Sequence, residues 1–369
     1  MMIESFLERA TPSWMHIEDD YSDIVISTRI RLARNLDGYR FPLAFSENEA
    51  LQVEQAVTHA VSDSPTLQND YAYFAIKDLT PLQRQILVEK HLISPQLAKK
   101  EQVGSILLSE DESVSIMVNE EDHLRIQCMT ASFQLQSAYE QANKIDRILE
   151  KVLPYAFRDT FGYLTSCPTN IGTGLRASVM MHLPALTLTG QMNQIINAMT
   201  RLGMTVRGIY GEGSENLGNV YQVSNQITLG KTEEDILADI QSVAEKIIQK
   251  ERHARSKLME KAELALEDRV YRALGTLTHA RILTSEEAAT CLSNVRLGVD
   301  LELIAGIHAT TLNECVVSMQ PGFLQHYAGE ALPPAERDRV RAEMLREALS
   351  REYTNKPING EKGEDLYDV

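Results

Sequence analysis

The segment CPTNIGTGLRASV, Cys167 to Val179, sets a thiol, two glycines and an arginine close together. Gly172 and Gly174 give the backbone the freedom that lets main-chain N–H groups approach an anion, and Arg176 adds a guanidinium fork suited to phosphate. Further arginines fall in strand or loop context: Arg29 and Arg31 in STRIR, Arg125 in HLRI and Arg207 in VRGIYGE. Arg29 and Arg31 stand two apart, so a strand turns both to the same face, where an anion between them would relieve their repulsion. Singly, each arginine reads as a surface ion pair. Together they suit a triphosphate. The carboxylates form a second set: Glu120, Glu121 and Asp122 in NEEDH, and Glu212 between two glycines. An acid-rich turn is ordinarily a solvated turn. Beside the arginines, it points to a site with an anionic substrate on one side and a cationic one on the other.

The usual phosphate signatures are missing. There is no G-x-x-x-x-G-K-[ST], no H-R-D and no D-F-G. The four cysteines, Cys128, Cys167, Cys291 and Cys315, show no metal-ligand spacing, and no metal ligands are assigned. The formal net charge of −16 argues against general nucleic-acid binding and is compatible with basic partners. No apolar run is long enough for a membrane span, and MMIESFLERA lacks the basic-then-apolar order of a signal peptide. A cytoplasmic protein with reduced thiols is expected.

The elements that would hold these residues can be read in outline. YSDIVISTRIRLARNL begins as a strand. Residues 47–60 form a helix, and Thr80-Pro81 caps another that runs to about His91. SVSIMV and LRIQCM alternate as a hairpin around residues 119–123, with Arg125 facing away from Leu124 and Ile126. Residues 137–152 read as an amphipathic helix carrying Ala138, Ala142, Ile145, Leu149 and Val152, and residues 191–202 as a helix stopped by Gly203. Two strands flank the glycine-rich loop after Arg207. From Thr232 a long helical pattern, broken once, leads into a mainly helical region ending near Tyr353. The division expected is 1–255 for a mixed α/β unit, 256–353 for a helical unit and 354–369 for a flexible acidic tail.

CPTNIGTGLRASV, VNEEDHLRI, STRIRLARNL and RGIYGE resemble the signature segments of the guanidino (phosphagen) kinases, and LVEKHLIS resembles a segment whose histidine lies near the nucleotide. The order matches the family's, over roughly residues 15–250. Unlike phosphagen kinases, the chain lacks a preceding all-helical domain and carries a helical C-terminal region containing RDRVRA. That combination looks like the bacterial protein-arginine kinases of the McsB type. The resemblance implies an α/β (α+β) catalytic domain with a curved antiparallel sheet flanked by helices, plus a helical C-terminal domain. It implies that Arg29, Arg31, Arg125, Arg176 and Arg207 hold the ATP phosphates, with Mg2+, and that His91 lies near the base or ribose. Glu121 and Glu212 would hold the substrate guanidinium, with Cys167 beside it. Phosphagen kinases usually read R-G-E-H in the loop after the last arginine. Tyr210 and Gly213 here replace its arginine and histidine, which leaves a wider entrance plausible.

RDRVRA sets Arg337 and Arg341 one turn apart with Asp338 beside them, a solvent-face ion pair on the bland reading. By resemblance it matches an allosteric phosphoarginine-binding motif in a homodimer. The family further implies a stress-response role: protein substrates including a CtsR-type repressor, a zinc-containing activator of the McsA type, and the ClpC/ClpP protease downstream. A kinase of free arginine or another small guanidino compound, and a non-catalytic phosphoarginine-binding adaptor, stay open as alternatives.

Overall fold

The computed structural model describes residues 2–8, 11–12, 15, 19–68, 70–100, 103–208 and 217–353. Alternation of residue type builds its main sheet. The strands are β1 (Val25–Arg34), β2 (Tyr71–Ala75), β3 (Ser105–Ser109), β4 (Val114–Val118), β5 (Leu124–Ala131), β6 (Phe157–Arg158), β7 (Gly162–Tyr163), β8 (Leu175–His182), β9 (Met204–Gly208) and β10 (Val220–Asn225). They assemble in the order β2-β3-β4-β5-β1-β8-β10-β9, antiparallel throughout, with β6 and β7 as a separate hairpin.

The centre of the sheet has two unlike faces. Ile30 and Leu32 of β1, Ile126 and Cys128 of β5, and Ala177 and Val179 of β8 are buried in one apolar core on one face. On the other, register sets Arg31 between Gln127 and Arg176, while Arg29 stands opposite Ser178 and Arg207 opposite Gln222. A strand of period two needs no more than the pattern S-T-R-I-R-L to divide its residues in this way.

The helices are α1 (Glu4–Glu8), α2 (Glu47–Ser62), α3 (Pro81–Glu89), α4 (Pro95–Ala98), α5 (Leu135–Glu150), α6 (Pro184–Leu188), α7 (Met192–Arg201), α8 (Glu233–His279), α9 (Ser285–Asp300), α10 (Ala309–Ser318), α11 (Pro321–Ala328) and α12 (Pro334–Tyr353). Thr80 caps α3 by accepting from Gln83 N, with Pro81 at its first position, as expected. The helix stops at Glu89, before His91, whose φ of +59° is left-handed. α5 begins and ends earlier than its sequence pattern predicts. Val152 lies beyond it and is 64% exposed, and Leu153 takes the buried position instead.

The long helix α8 breaks at Ala262, where φ is −146° and ψ 32°. Before the break, Ile236 to Ala254 join the core beneath the sheet; after it, Val270, Ala273, Leu274 and Leu277 join a second core with α9, α10 and α12. Charged groups tie the two parts together. Glu251, fully buried, accepts from Ala185 N and Leu186 N at the start of α6 and from Arg255 Nε. Arg255 also reaches Asp300 on α9, and His182 Nε2 lies 2.8 Å from Ser293 Oγ. The acidic tail, residues 354–369, lies outside the described residues.

Candidate active site

The β4–β5 turn is the part of the site least like its sequence expectation. Its acids are not simply solvated: Glu120 is 2% exposed and Asp122 fully buried. Asn119 takes a left-handed φ of +58°, its N–H donates to His123 O at 2.9 Å, and its side chain donates to Ala50 O of α2. So held, the turn directs Glu120 and Glu121 at Arg125. Glu120 Oε2 lies 2.5 Å from Arg125 Nη1 and Glu121 Oε2 lies 2.7 Å from Nη2. Burial works against the Arg125 charge, but Glu120, Glu121 and then Asp122 outweigh it and raise the guanidinium pKa.

Of the other central arginines, Arg29, Arg176 and Arg207 reach neutral side chains on β9 and β10. Arg29 Nη2 donates to Gln222 Oε1, Arg176 Nη2 to Ser224 Oγ at 3.3 Å, and Arg207 Nε to Thr205 Oγ1 at 3.2 Å. Nε of Arg29 and Nε of Arg31 are buried without a hydrogen-bond partner. Burial, then Arg176 and Arg125, lowers the Arg29 pKa to about 10. Burial and the neighbouring arginines lower that of Arg31 as well, with only Glu120 opposing. Such a surface gains free energy when an anion arrives.

Two adjoining cavities share Arg31, Arg125, Arg176 and Arg207. One, of about 770 Å³, adds Arg29, His91, Gln127 and Gln222 to an apolar border of Val88, Ile93 and Met117. The other, of about 1080 Å³, brings in Glu121, Cys167, Thr169, Asn170 and Gln226. Burial, followed by Arg29 and Arg31, lowers the His91 pKa to about 3, so its imidazole is neutral at pH 7. Gln127 Nε2 donates to His91 O at 2.8 Å and fixes this left-handed residue. Gln127 and Gln222 were not singled out from sequence. Gln127 is two residues beyond Arg125 on β5, so the periodicity that orients the arginine also marks the glutamine.

Cys167 is half-buried, with Sγ 3.1 Å from Thr169 Oγ1. The glycines of its segment do something other than expected. Gly172 N donates to Tyr163 O and Gly174 N to Asn170 O, so these N–H groups are engaged by the protein and not open to an anion. What requires glycine is contact between main chains. A methyl group on Gly172 would lie 2.8 Å from Thr228 O, and one on Gly174 would lie 2.6 Å from Ala33 O of β1. Glu212, with Tyr210 and Gly213, lies outside the described residues.

Arg337, Asp338 and Arg341 stand together on the first turns of α12 and do not line either arginine cavity. Arg341, only 2% exposed, donates to Met319 O and Leu283 O and pairs with Asp338. Glu89, at the end of α3, accepts from Gly322 N and Phe323 N at the start of α11. Burial raises its pKa, opposed by those N–H groups and by the charge of Arg337. Among the described residues no cluster of three or more His, Cys, Asp or Glu side chains could hold a metal ion, and no helix is long and apolar enough to cross a membrane.

Residues 52–254 match the family described as ATP:guanido phosphotransferase, C-terminal catalytic domain, and residues 263–359 match the protein-arginine kinase McsB C-terminal domain. A protein-arginine kinase of Halalkalibacterium halodurans is 52% identical over 352 residues, covering 95% of this chain and 99% of the relative. One of Bacillus subtilis is 51% identical over 367 residues, covering 99% of each. Among solved structures, lombricine kinase matches with a TM-score of 0.57 and 25% identity over 68% of this chain and 71% of that one. The substrate-free duplicated taurocyamine kinase from Schistosoma mansoni shares the fold, with a TM-score of 0.56 at 24% identity over 72% of this chain and 39% of that one. The chain belongs to the protein-arginine kinases, within the ATP:guanido phosphotransferase family.

Proposed function

We propose that the protein transfers the γ-phosphoryl group of ATP to arginine side chains of proteins. The observation that carries this reading is the arginine face of the sheet, shared by two cavities, with Glu121 and Cys167 in the one that does not contain His91. ATP phosphates would lie against Arg29, Arg31, Arg125, Arg176 and Arg207, with the base toward His91, Val88 and Ile93. Mg2+ would come with the nucleotide, held by phosphate and water, and would add positive charge at the phosphoryl oxygens.

The acceptor is a poor nucleophile, because a guanidinium is delocalised and protonated up to a pKa of about 12.5–13.8. Transfer needs one N–H proton to leave as the N–P bond forms and the bond to ADP breaks. Glu121 would accept that proton. Its ion pair with the Arg125 guanidinium supports this reading, and a substrate arginine would approach from the open side, where the Glu121 side chain is 30% exposed. Glu212 would hold the far edge of the acceptor and Cys167 would border it. Orientation of both reactants and charge stabilisation by the arginines supply the acceleration.

In the helical region, Arg337, Asp338 and Arg341 would bind phosphoarginine by exchange. The ligand's guanidinium replaces Arg341 on Asp338, and its phosphate meets the arginines. We assign residues 1–255 to the catalytic unit and 256–353 to this regulatory, dimer-forming unit. A CtsR-type repressor as substrate, an activator of the McsA type, ClpC/ClpP downstream and a cytoplasmic setting follow from family membership as parts of the same proposal. Incubation with ATP, Mg2+ and casein, followed by mass-spectrometric mapping of acid-labile phosphate, tests the central claim. Phosphoarginine in casein is expected; transfer to free L-arginine at a comparable rate, or no transfer at all, overturns it.

A further inference from the structure

We infer that Asp122 and Asn35 form a positioning clamp that sets Glu121 and Cys167 in their places across the acceptor cavity. Asp122 is fully buried and Asn35 is 1% exposed, in a chain where their neighbours Glu121 and Cys167 line the open cavity. One oxygen of Asp122, Oδ1, accepts from Ser166 N at 2.6 Å and from Asn35 Nδ2 at 2.7 Å. Asn35 Oδ1 in turn accepts from His123 N at 2.9 Å, and Asn35 Nδ2 donates also to Leu164 O at 3.1 Å.

Three chain segments therefore meet on two side chains. The first is the end of β1, whose Arg29 and Arg31 face the nucleotide cavity. The second is the β4–β5 turn, where Asp122 follows Glu121 directly. The third is the segment 164–167, where Ser166 precedes Cys167 directly. Asn35 grips the turn at His123 and the third segment at Leu164, while Asp122 grips the third segment at Ser166. The pair thus spans the turn from both sides of Glu121's neighbour. No sheet ladder joins the turn to residues 164–167, so side chains must supply this link.

Neither residue touches the cavity, and neither takes part in proton or phosphoryl transfer. They act through Glu121 and Cys167. A reacting group misplaced by about 1 Å can cost about 100-fold in rate. Arg29, Arg31, Arg176 and Arg207 sit on strands whose ladders do not depend on this pair, so ATP binding should largely survive its loss, with Arg125 alone losing the nearby Asp122 charge.

The inference rests on the proposed arginine-kinase activity, and one experiment separates the two. Steady-state kinetics with casein and ATP are compared for the wild type, Asp122→Ala, Asn35→Ala and Asp122→Asn, with alkylation of Cys167 by iodoacetamide followed in parallel. Cys167 is the half-buried thiol, since Cys128, Cys291 and Cys315 are buried. Asp122→Ala and Asn35→Ala are expected to lose about 100-fold in kcat, to keep KM for ATP within threefold, and to change the Cys167 alkylation rate by at least threefold. Asp122→Asn retains an oxygen that can accept both hydrogen bonds and should lose less than tenfold. A kcat loss below tenfold in folded Asp122→Ala, a parallel rise in KM for ATP, or an Asp122→Asn variant as impaired as Asp122→Ala overturns the clamp. If Asp122→Ala does not fold, Asn35→Ala carries the same tenfold criterion. A wild type that leaves casein arginines unmodified defeats the proposed function, whereas an active wild type with insensitive clamp variants defeats only this inference.

Discussion

Replacing Gly174 by alanine offers a quantitative check on why this segment contains glycine. Its φ is +64°, and an added methyl group would lie 2.6 Å from Ala33 O and 2.5 Å from Arg34 Nη1. Neither neighbour can yield easily. Ala33 O belongs to the central strand, and the Arg34 guanidinium donates to Ala33 O, Thr173 O and Asp146 while lying 3.6 Å from the Tyr163 ring centre. A left-handed alanine costs about 1–2 kcal/mol, and forcing volume into a packed site adds about 1–3 kcal/mol. The expected loss is about 2–5 kcal/mol by these two contributions. Gly190→Ala is the matched control, because its φ is +70° and nothing lies within 4 Å of the added carbon. It should lose only the conformational part, about 1–2 kcal/mol. Urea unfolding read by tryptophan fluorescence and circular dichroism compares the two. Gly174→Ala should also raise KM for ATP by about tenfold or more, because displacing the segment by even a fraction of an ångström misplaces Arg176. Equal stability of the two variants, or a wild-type KM in Gly174→Ala, refutes the packing explanation.

Other outcomes follow from the same structure. Glu121→Gln should lower kcat by about 100-fold or more with casein, within the range of general-base removal, while nucleotide affinity by calorimetry stays within a few-fold; unchanged kcat removes Glu121 from the chemistry. Burial, then Arg255 and Arg296, holds the His182 pKa well below 6.5, and burial holds that of His123 at about 4. Both lowered values mean that stability is full above pH 6.5 and falls as pH drops below it, by about 1.4 kcal/mol per unit for each histidine until its folded pKa is reached. His182→Gln should flatten the decline between pH 7 and 5 in urea titrations, and an unchanged slope contradicts the assignment. Gly275, inside α8 with open space around it, should accept alanine with a gain of about 0.5–1 kcal/mol; destabilisation would show a helix constraint not visible in its contacts.

Local patterns were the legible part of this protein. The i, i+2 spacing of Arg29 and Arg31 and the alternation around Arg125 determine which face those side chains occupy, and the strands follow them. Thr80-Pro81 marks a helix start without help from distant residues. The break in α8 was expected, although its place at Ala262 was not. What escaped sequence reading depends on partners far along the chain. Asp122 looks like a solvated turn acid until Asn35 and Ser166 arrive, and Arg341 looks like an exposed helix arginine until Leu283 O and Met319 O take its donors. Gly172 and Gly174 were expected to open N–H groups to an anion, but the close approach they permit is to Thr228 and Ala33.

The arginine face also bears on how the protein must be handled. With Arg29 and Arg31 buried among like charges, this face concentrates positive charge that should attract polyvalent anions. Phosphate, sulfate and polyphosphate in a buffer should compete for the surface proposed for ATP, and should raise thermal stability as they do so. Monovalent chloride should compete less, which would make apparent nucleotide affinity a property of the protein and its counter-ions together.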